Sequence, residues 1–362
     1  MSLDPLQRYK FEMNVGYACN FSCKYCYQPV TRDGLAIPPV TAEQLSRFAD
    51  YMIQRIKQIG GKHEWGLSVY GGEPLLYLDR LIVFFRKIQM FFDNITIVTN
   101  AALIEQKQEQ LLRLHRMLGC KLCISPSYDF CMQDQNRQEG TYSIVRDAIR
   151  WLDKSGIRYS CTTVFTVGSL PRIWDVFSDF VELKRECPRL NACFNLAGGV
   201  DAPLDEPAVR AALEKMKAFV NENPEYGRAF FYNLSTGHRR RRWKHAPFGN
   251  VICAMIGGGE LYPGYDMHFR SQFAQDALRL GNIADDFSEI TRKHTELLAN
   301  LPHELPEQCQ NCNILCRVIP WCFMKDDLSQ YYDKPSDERC KTLAILTEYF
   351  PSNDNPPGTS AW

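Results

Sequence analysis

Hydrophobic positions in the first 200 residues follow two alternating periods. FEMNVG (11–16) alternates as a β-strand does, whereas TAEQLSRFADYMIQRIKQIGG (41–61) repeats apolar residues every three or four positions, as an amphipathic helix does. Thr41 is the predicted N-cap of that helix, and Gly60 and Gly61 are its predicted end. The further predicted strands are WGLSVY (65–70), NITIVTN (94–100), CKLCISPS (120–127), RYSCTTVFTV (158–167) and NACFNLAG (191–198). The further predicted helices cover residues 78–92, 104–118, 142–156, 172–186 and about 205–222.

Six strand–helix units in succession predict an α/β fold in which a parallel sheet closes into a partial (β/α)6 TIM-like barrel. In barrels of this kind the reactive side chains come from the carboxyl ends of the strands and from the loops that follow them. Candidate functional residues are therefore expected on those loops.

The chain of 362 residues is long enough for such a barrel and a second, smaller domain. After about residue 225 the helical pattern weakens, the predicted elements shorten and cysteines become frequent. That composition is typical of a small domain held together by metal instead of a large core. The predicted division is a barrel over residues 1–235, a cysteine-rich domain over 236–350 and a flexible tail over 351–362.

Net charge and hydropathy exclude several classes of protein. Lysine plus arginine and aspartate plus glutamate balance at 42 each, which gives no support for nucleic acid or an anionic membrane as a partner. No apolar run reaches the roughly 20 residues of a membrane span, and MSLDPLQRYK lacks the apolar centre of a signal peptide. We therefore expect a cytoplasmic protein with reduced thiols, in which 15 cysteines indicate metal or redox chemistry.

The first group of cysteines lies in CNFSCKYC (19–26), directly after the first predicted strand. Cys19, Cys23 and Cys26 have the spacing C-x3-C-x2-C, with no fourth cysteine close behind. Iron–sulfur clusters usually take four thiolates, and structural zinc takes four protein ligands. The loop thus supplies three ligands and leaves the fourth unassigned.

The C-x3-C-x2-C loop, the six β/α units and YGGEPLL (70–76) after the second strand together resemble the radical S-adenosylmethionine (SAM) enzymes. The resemblance covers about residues 11–345. It implies that Cys19, Cys23 and Cys26 hold a [4Fe–4S] cluster and that SAM binds the iron without a protein ligand. In that family an electron from the cluster cleaves SAM to methionine and a 5′-deoxyadenosyl radical, while the protein fixes distance and orientation.

The same resemblance implies a set of residues that contact SAM. The GGEP motif would receive the methionine ammonium, because glycines allow a close backbone approach and a carboxylate can pair with the amine. An aromatic residue of the cysteine loop would lie near the adenine, and polar residues at the ends of strands three and four would contact the carboxylate and ribose. An ordinary buried aromatic, helix caps and turn residues are the alternatives. The implied residues are Tyr25, Gly71, Gly72, Glu73, Pro74, Asn100 and Ser127.

The second group of cysteines resembles the SPASM extension, a C-terminal domain that carries auxiliary iron–sulfur clusters in many radical SAM enzymes acting on peptides. Two departures stand out: Gly264 replaces the hairpin cysteine, and the main block reads C-x2-C-x3-C-x5-C, with its two longer spacings exchanged. One auxiliary cluster has a full set of candidate ligands and a second is short of them, so one or two are implied. A zinc ribbon is the alternative. The candidate metal ligands are Cys253, Cys309, Cys312, Cys316, Cys322 and Cys340.

Two features near the second group remain open. Asp266 lies close to the position of the catalytic base in sulfatase-maturing members of the family, and a turn residue is the alternative. HRRRRWKH (238–245) is either a solvated loop or an anchor for an acidic or phosphate-bearing substrate.

The resemblance implies an enzyme that abstracts a hydrogen atom from a side chain of a peptide or protein, leading to a crosslink, an oxidation or an epimerisation. A flavodoxin- or ferredoxin-type protein would supply the electron. One alternative is a radical SAM enzyme acting on a small-molecule metabolite, such as a dehydrogenase. A more distant alternative is a non-catalytic iron–sulfur or zinc protein, which would not need GGEP beside a three-cysteine loop.

Overall fold

A computed structural model describes residues 8–26, 38–197, 203–230, 251–264, 276–300 and 337–349. These residues form two sheets surrounded by helices. The strands are β1 (Arg8–Asn14), β2 (Glu64–Tyr70), β3 (Asn94–Thr99), β4 (Leu122–Pro126), β5 (Arg158–Tyr159), β6 (Cys161–Phe165), β7 (Ala192–Leu196), β8 (Val251–Ile256), β9 (Glu260–Tyr262) and β10 (Gly281–Asn282). The helices are α1 (Ala42–Ile59), α2 (Leu78–Ile88), α3 (Ile104–Leu118), α4 (Gln133–Asn136), α5 (Tyr142–Ser155), α6 (Ile173–Glu186), α7 (Glu206–Glu222), α8 (Pro224–Phe230), α9 (Phe287–Asn300) and α10 (Asp337–Tyr349).

The larger sheet has the order β10-β9-β8-β1-β2-β3-β4-β5, and β6 pairs with β7 in the smaller one. Strands β1 to β4 are parallel and lie side by side in chain order. Their carboxyl ends therefore meet at one edge, which brings the loops after β1, β2, β3 and β4 next to one another. The predicted α/β class and partial parallel barrel are confirmed.

The first helix forms as its sequence predicts. The Thr41 hydroxyl accepts a hydrogen bond from the Gln44 amide (3.1 Å), and the Gln44 side chain accepts one from the Thr41 amide (2.9 Å), which is a capping box. Gly60 follows the helix with a φ of 64°, in the left-handed region that glycine adopts without strain. Local signals are therefore sufficient to set both ends of α1.

The two faces of the sheet differ in exposure. Trp65, Leu67 and Val69 of β2 are buried on the helix side, where the ring of Phe11 in β1 lies 6.4 Å from that of Phe48 in α1. The alternate residues of β2 are glycine or polar and only half-buried. A core thus lies between the sheet and its helices, and the opposite face of β2 is partly accessible.

The fifth predicted strand is divided at Ser160, so its prediction as one strand over 158–167 was wrong. Its first part, β5, pairs with β4, and its second part, β6, pairs with β7. A single parallel bridge between Ser127 and Thr162 joins the two sheets. The division has a physical reason, because a strand that changes partners must bend away from the first neighbour to reach the second.

A strand beyond the predicted barrel also belongs to the larger sheet. Strand β8 lies parallel to β1 on the side opposite β2, with Cys253 paired to Phe11. Strands β9 and β10 continue the sheet in antiparallel fashion. The predicted boundary at residues 235 and 236 lies outside the described residues and stays a prediction.

Within the described ranges, no helix combines the length and the apolar composition that crossing a membrane requires.

Candidate functional site

The loop after β1 carries the three predicted cluster cysteines at the carboxyl edge of the sheet. The Cys19 side chain is exposed, and those of Cys23 and Cys26 are half-buried. Burial raises the pKa of Cys23 to about 11, the nearby Arg137 guanidinium lowers it, and the thiols of Cys26 and Cys19 raise it further. Cys23 and Cys26 are also joined through the backbone, because the Cys26 amide donates to the Cys23 carbonyl (3.1 Å).

The chemistry of the donor set is that of an iron–sulfur site. Cys19, Cys23 and Cys26 are three thiols on one loop, and iron–sulfur clusters are held by cysteine thiolates. Among the described residues, no three His, Cys, Asp or Glu side chains converge where one metal ion could sit. The fit to a cluster therefore rests on the type and spacing of the three thiols.

The GGEP segment packs directly beneath this loop. The Gly72 amide donates to the Gly16 carbonyl (2.7 Å), and the Glu73 amide donates to the Ala18 carbonyl (2.9 Å). A Cβ atom on Gly72 would lie 2.2 Å from the Ala18 oxygen and 2.4 Å from the Tyr17 oxygen. The close approach that requires Gly72 is thus to the backbone that leads into Cys19. Within GGEP, this glycine supports the cysteine loop itself.

Glu73 is fully buried and joins the second strand loop to the third. Its Oε1 accepts hydrogen bonds from the Leu75 amide (2.9 Å) and the Thr99 hydroxyl (2.7 Å), and its Oε2 accepts one from the Asn100 amide (2.7 Å). No cation pairs with this carboxylate among the described side chains. Pro74 then starts a turn of 3₁₀-helix, Pro74–Tyr77, for which Glu73 is the N-cap. A carboxyl group held in place without a counter-ion is suited to an incoming ammonium, whose positive charge would favour the ionised form.

Burial raises the pKa of Glu73 to about 7, although its three hydrogen bonds lower it. The ordinary value is 4.5, so the folded protein holds this proton more tightly than the unfolded chain does. The contribution of protonated Glu73 to the free energy of unfolding is then greatest below pH 4.5, and it is lost as the pH rises towards 7. From pH 5 to 8 we expect the free energy of unfolding to fall by about 2–3 kcal/mol on this account.

Glu73→Gln removes the titration and serves as the reference. We expect the difference in unfolding free energy between the wild type and Glu73→Gln, measured by denaturant titration without SAM, to shift by that amount between pH 5 and 8. Parallel pH profiles for the two proteins would contradict the raised pKa.

Asn100 contacts the cysteine loop from the end of β3. Its side-chain Nδ2 donates to the Asn20 side-chain oxygen (2.7 Å) and lies 3.7 Å from the Cys19 sulfur. Ser127, at the end of β4, donates its backbone N–H to the Thr99 carbonyl (2.7 Å). Both residues predicted to contact SAM therefore lie at the carboxyl edge, and Asn100 also touches a cluster cysteine.

The residue after Asn100 has an unusual backbone conformation. Ala101 is buried with a φ of 68°, where an L-residue is disfavoured by roughly 1–2 kcal/mol. We expect Ala101→Gly to leave the melting temperature nearly unchanged, since relief of this strain offsets the lost methyl group and the added chain entropy. Ala102→Gly has no strain to relieve and is expected to cost about 0.4–1 kcal/mol. Equal losses for the two variants in thermal unfolding would contradict the strained conformation.

Tyr25 lies against a buried ion pair that sequence reasoning did not assign to the site. Its hydroxyl donates to Asp129, whose carboxylate is paired with Arg137 (3.2 Å). Asp129 follows a strand end, which is a general signal for a site, but nothing local marks Arg137 as its partner. Arg137 is therefore the residue of this region that the sequence did not reveal.

Several predicted ligands lie elsewhere. Cys253 is fully buried in β8, where burial raises its pKa to about 12 and hydrogen bonding with Tyr51 lowers it. The side chain of Cys340, which belongs to α10, lies outside the described residues. So do the remaining predicted residues of the C-terminal region, which are Asp266, Cys309, Cys312, Cys316 and Cys322, and the basic run 238–245.

Comparisons with known proteins agree with this arrangement. Residues 13–183 match the family profile of the Radical SAM superfamily. Native anSMEcpe with bound AdoMet has a similar fold, with a TM-score of 0.67 and 18% identity over 95% of this chain and 97% of that chain. Its complex with AdoMet and the Kp18Cys peptide gives a TM-score of 0.64 and 18% identity over 96% and 97% of the two chains.

Streptococcus suis SuiB bound to the precursor peptide SuiA is also similar in fold, with a TM-score of 0.52 and 12% identity over 74% of this chain and 61% of that chain. The search among curated proteins found no match. These structural likenesses concern the fold, and the family profile concerns residues 13–183.

Proposed function

Because residues 13–183 are a radical SAM domain, this chain is a radical SAM enzyme, and we propose that it abstracts a hydrogen atom from a side chain of a peptide or protein. The observation that carries the proposal is the correspondence with anSMEcpe, which extends over 96% of this chain in the peptide complex. The fold shared with SuiB, a protein seen with its precursor peptide, supports the same substrate class.

The residues of the site fit the family's cofactors, a [4Fe–4S] cluster and SAM. Cys19, Cys23 and Cys26 would hold the cluster, and Glu73 with its neighbouring backbone would receive the ammonium of SAM. When bound and supplied with an electron, these cofactors would supply the radical chemistry that removes a hydrogen atom from a substrate carbon. We propose a flavodoxin- or ferredoxin-type protein as the electron donor.

The accessible face of the sheet is where a substrate side chain would be held. Ser68 of β2 and Thr162 of β6 are half-buried on their strands, and Asn195 of β7 is exposed. These uncharged polar groups can orient a peptide through hydrogen bonds, while the packed helix side offers no room. A substrate bound there lies next to the loop that carries Cys19.

The second cysteine group supports a proposal of one auxiliary iron–sulfur cluster, held by Cys309, Cys312, Cys316 and Cys340. Cys253 lies in the core between sheet and helix, which favours loss of the site that would have needed it. Metal analysis of a variant with Cys19, Cys23 and Cys26 all changed to alanine tests this. We expect about four iron atoms per chain to remain for one cluster. About eight would indicate two clusters, and zinc without iron would indicate a zinc ribbon.

The substrate class is tested with the reconstituted holoenzyme under anaerobic conditions, using dithionite, SAM and a cell extract divided into macromolecular and small-molecule fractions. We expect the macromolecular fraction to raise 5′-deoxyadenosine formation above the enzyme-alone rate, and protease treatment of that fraction to abolish the increase. Stimulation by the small-molecule fraction, or stimulation that survives protease, would overturn the peptide proposal and favour a metabolite. No 5′-deoxyadenosine from any reaction, with an intact cluster, would contradict the activity itself.

A further inference from the structure

We propose that Asp129 and Arg137 are positioning residues that hold Tyr25, and with it the second half of the cysteine loop, in the conformation that binds SAM. Tyr25, Asp129 and Arg137 are called the Tyr25 clamp below. The proposal rests on the radical SAM assignment and is independent of which substrate the enzyme modifies.

The clamp holds Tyr25 from two directions. Asp129 is fully buried just beyond the carboxyl end of β4, and its Oδ2 accepts the Tyr25 hydroxyl hydrogen. The Arg137 guanidinium lies over the Tyr25 ring, 5.3 Å from its centroid. A hydrogen bond at the hydroxyl and a cation on the face together fix both the position and the tilt of the ring.

Asp129 is itself fixed by several partners. Its Oδ1 accepts the Val164 amide of β6 (3.0 Å) and Arg137 Nη2 (3.2 Å), while its own amide donates to the Gln133 side chain (3.0 Å). Phe130, the next residue, is buried with a φ of 53°, a conformation that persists only when the surroundings impose it. The carboxylate that receives Tyr25 is therefore rigid.

The backbone of the loop is tied to the same place. The Lys24 amide donates to the Asn136 carbonyl at the end of α4 (2.9 Å), and the Asn136 side chain approaches Asp129 Oδ2 (3.4 Å). The first half of the loop is bonded to GGEP and Asn100 instead. The loop thus has two separate supports, and the clamp is the one next to Cys23 and Cys26.

Stability alone does not account for the clamp. A buried ion pair costs about as much in lost hydration as it returns in attraction, so such a pair adds little net stability. The ion pair instead fixes geometry, because it connects the cysteine loop to β4, β6 and α4. Removing the partners that orient metal-ligating side chains commonly costs about 10- to 100-fold in metal affinity or activity, and we expect a loss of that size for SAM binding.

The chain contains a matched control with the same chemistry. Tyr142 donates to Asp179 (3.0 Å), Arg146 pairs with Asp179, and the Arg146 guanidinium lies 5.7 Å from the Tyr142 ring centroid. This trio joins α5 to α6, and within the described part of the chain none of its hydrogen bonds, ion pairs or ring contacts reaches Cys19, Cys23 or Cys26. Tyr142→Phe therefore removes an equivalent hydroxyl from a structural trio, and Tyr25→Phe removes one from the clamp.

The test uses reconstituted holoenzymes with verified iron content: Tyr25→Phe, Asp129→Asn, the double variant and Tyr142→Phe. Equilibrium dialysis with labelled SAM gives Kd, and 5′-deoxyadenosine formation gives KM for SAM and kcat separately. We expect Tyr25→Phe and Asp129→Asn each to raise Kd and KM about 10-fold or more. The double variant should be no weaker than Asp129→Asn, since both changes remove one interaction. Tyr142→Phe should bind SAM as the wild type does.

Unchanged Kd in Tyr25→Phe, with full iron content, would overturn the clamp, and so would an additive double variant. If Asp129→Asn does not fold, Tyr25→Phe decides, because it loses a single hydroxyl. A wild-type enzyme that forms no 5′-deoxyadenosine would instead contradict the radical SAM activity, so failure of the clamp and failure of the assignment give different results.

Discussion

Changing any one of Cys19, Cys23 and Cys26 to alanine is expected to reduce 5′-deoxyadenosine formation to that of a reaction without enzyme. The three thiols share one loop, and the proposed cluster would need each of them as a ligand. Serine would be a poorer test than alanine, because its oxygen can still bind iron weakly. The measurement is anaerobic turnover with dithionite and SAM, together with iron and sulfide content.

Cys120→Ala is the matched control, since Cys120 is exposed and lies outside the cysteine loop. It should retain full iron content and wild-type turnover. Retained SAM cleavage in Cys23→Ala would contradict the assignment of the cluster ligands. Loss of activity in Cys120→Ala as well would indicate a general effect of cysteine replacement. The losses in the Cys19, Cys23 and Cys26 variants would then no longer be evidence for a shared cluster.

Local sequence signals predicted the elements of the barrel. Periodicity located the strands and helices, and Thr41 is the N-cap that the pattern indicated, in a capping box with Gln44. Which distant strands pair with each other was harder to predict from the sequence. Strand β8 lies beside β1, and the strand at 158–167 divides at Ser160, because partner choice depends on the closed sheet as a whole. A periodic pattern specifies which face of a strand is buried, but it does not specify the neighbouring strand.

The same distinction applies to the candidate site. The order of strands β1 to β4 places GGEP, Asn100 and Ser127 on one edge, as their positions after the strands predicted. Contacts between loops could not be predicted, since they depend on distances of a few ångströms across neighbouring strands. Asn100 near Cys19 and Arg137 on Tyr25 are such contacts. The close approach of Gly72 to the cysteine loop is a further contact that the sequence did not predict, and its predicted contact with SAM stays a prediction.

Gly72→Ala is expected to be among the most damaging single changes in the barrel. The Cβ of the new alanine would lie 2.2 Å from the Ala18 carbonyl oxygen. Neither can move easily, because backbone hydrogen bonds join residues 72 and 73 to Gly16 and Ala18. Relief requires the cysteine loop to move away from GGEP, which breaks the bonds to Gly16 and Ala18. We expect a loss of about 3 kcal/mol or more in the free energy of unfolding, at the upper end for overpacking. SAM binding should be lost in parallel.

Glycines of the same region provide a graded control. A Cβ on Gly66 of β2 would meet its nearest atom, Lys10 Cβ, at an ordinary 3.5 Å, whereas on Gly71 it would lie 2.9 Å from the Gly16 oxygen. Denaturant unfolding should therefore rank Gly66→Ala close to the wild type, Gly71→Ala below it and Gly72→Ala lowest, with labelled SAM binding in the same order. If Gly72→Ala were as stable as Gly66→Ala, the close contact would be wrong. If Gly72→Ala were unstable but bound SAM normally, the contact between GGEP and the cysteine loop would contribute to folding alone. It would then have no role in cofactor binding.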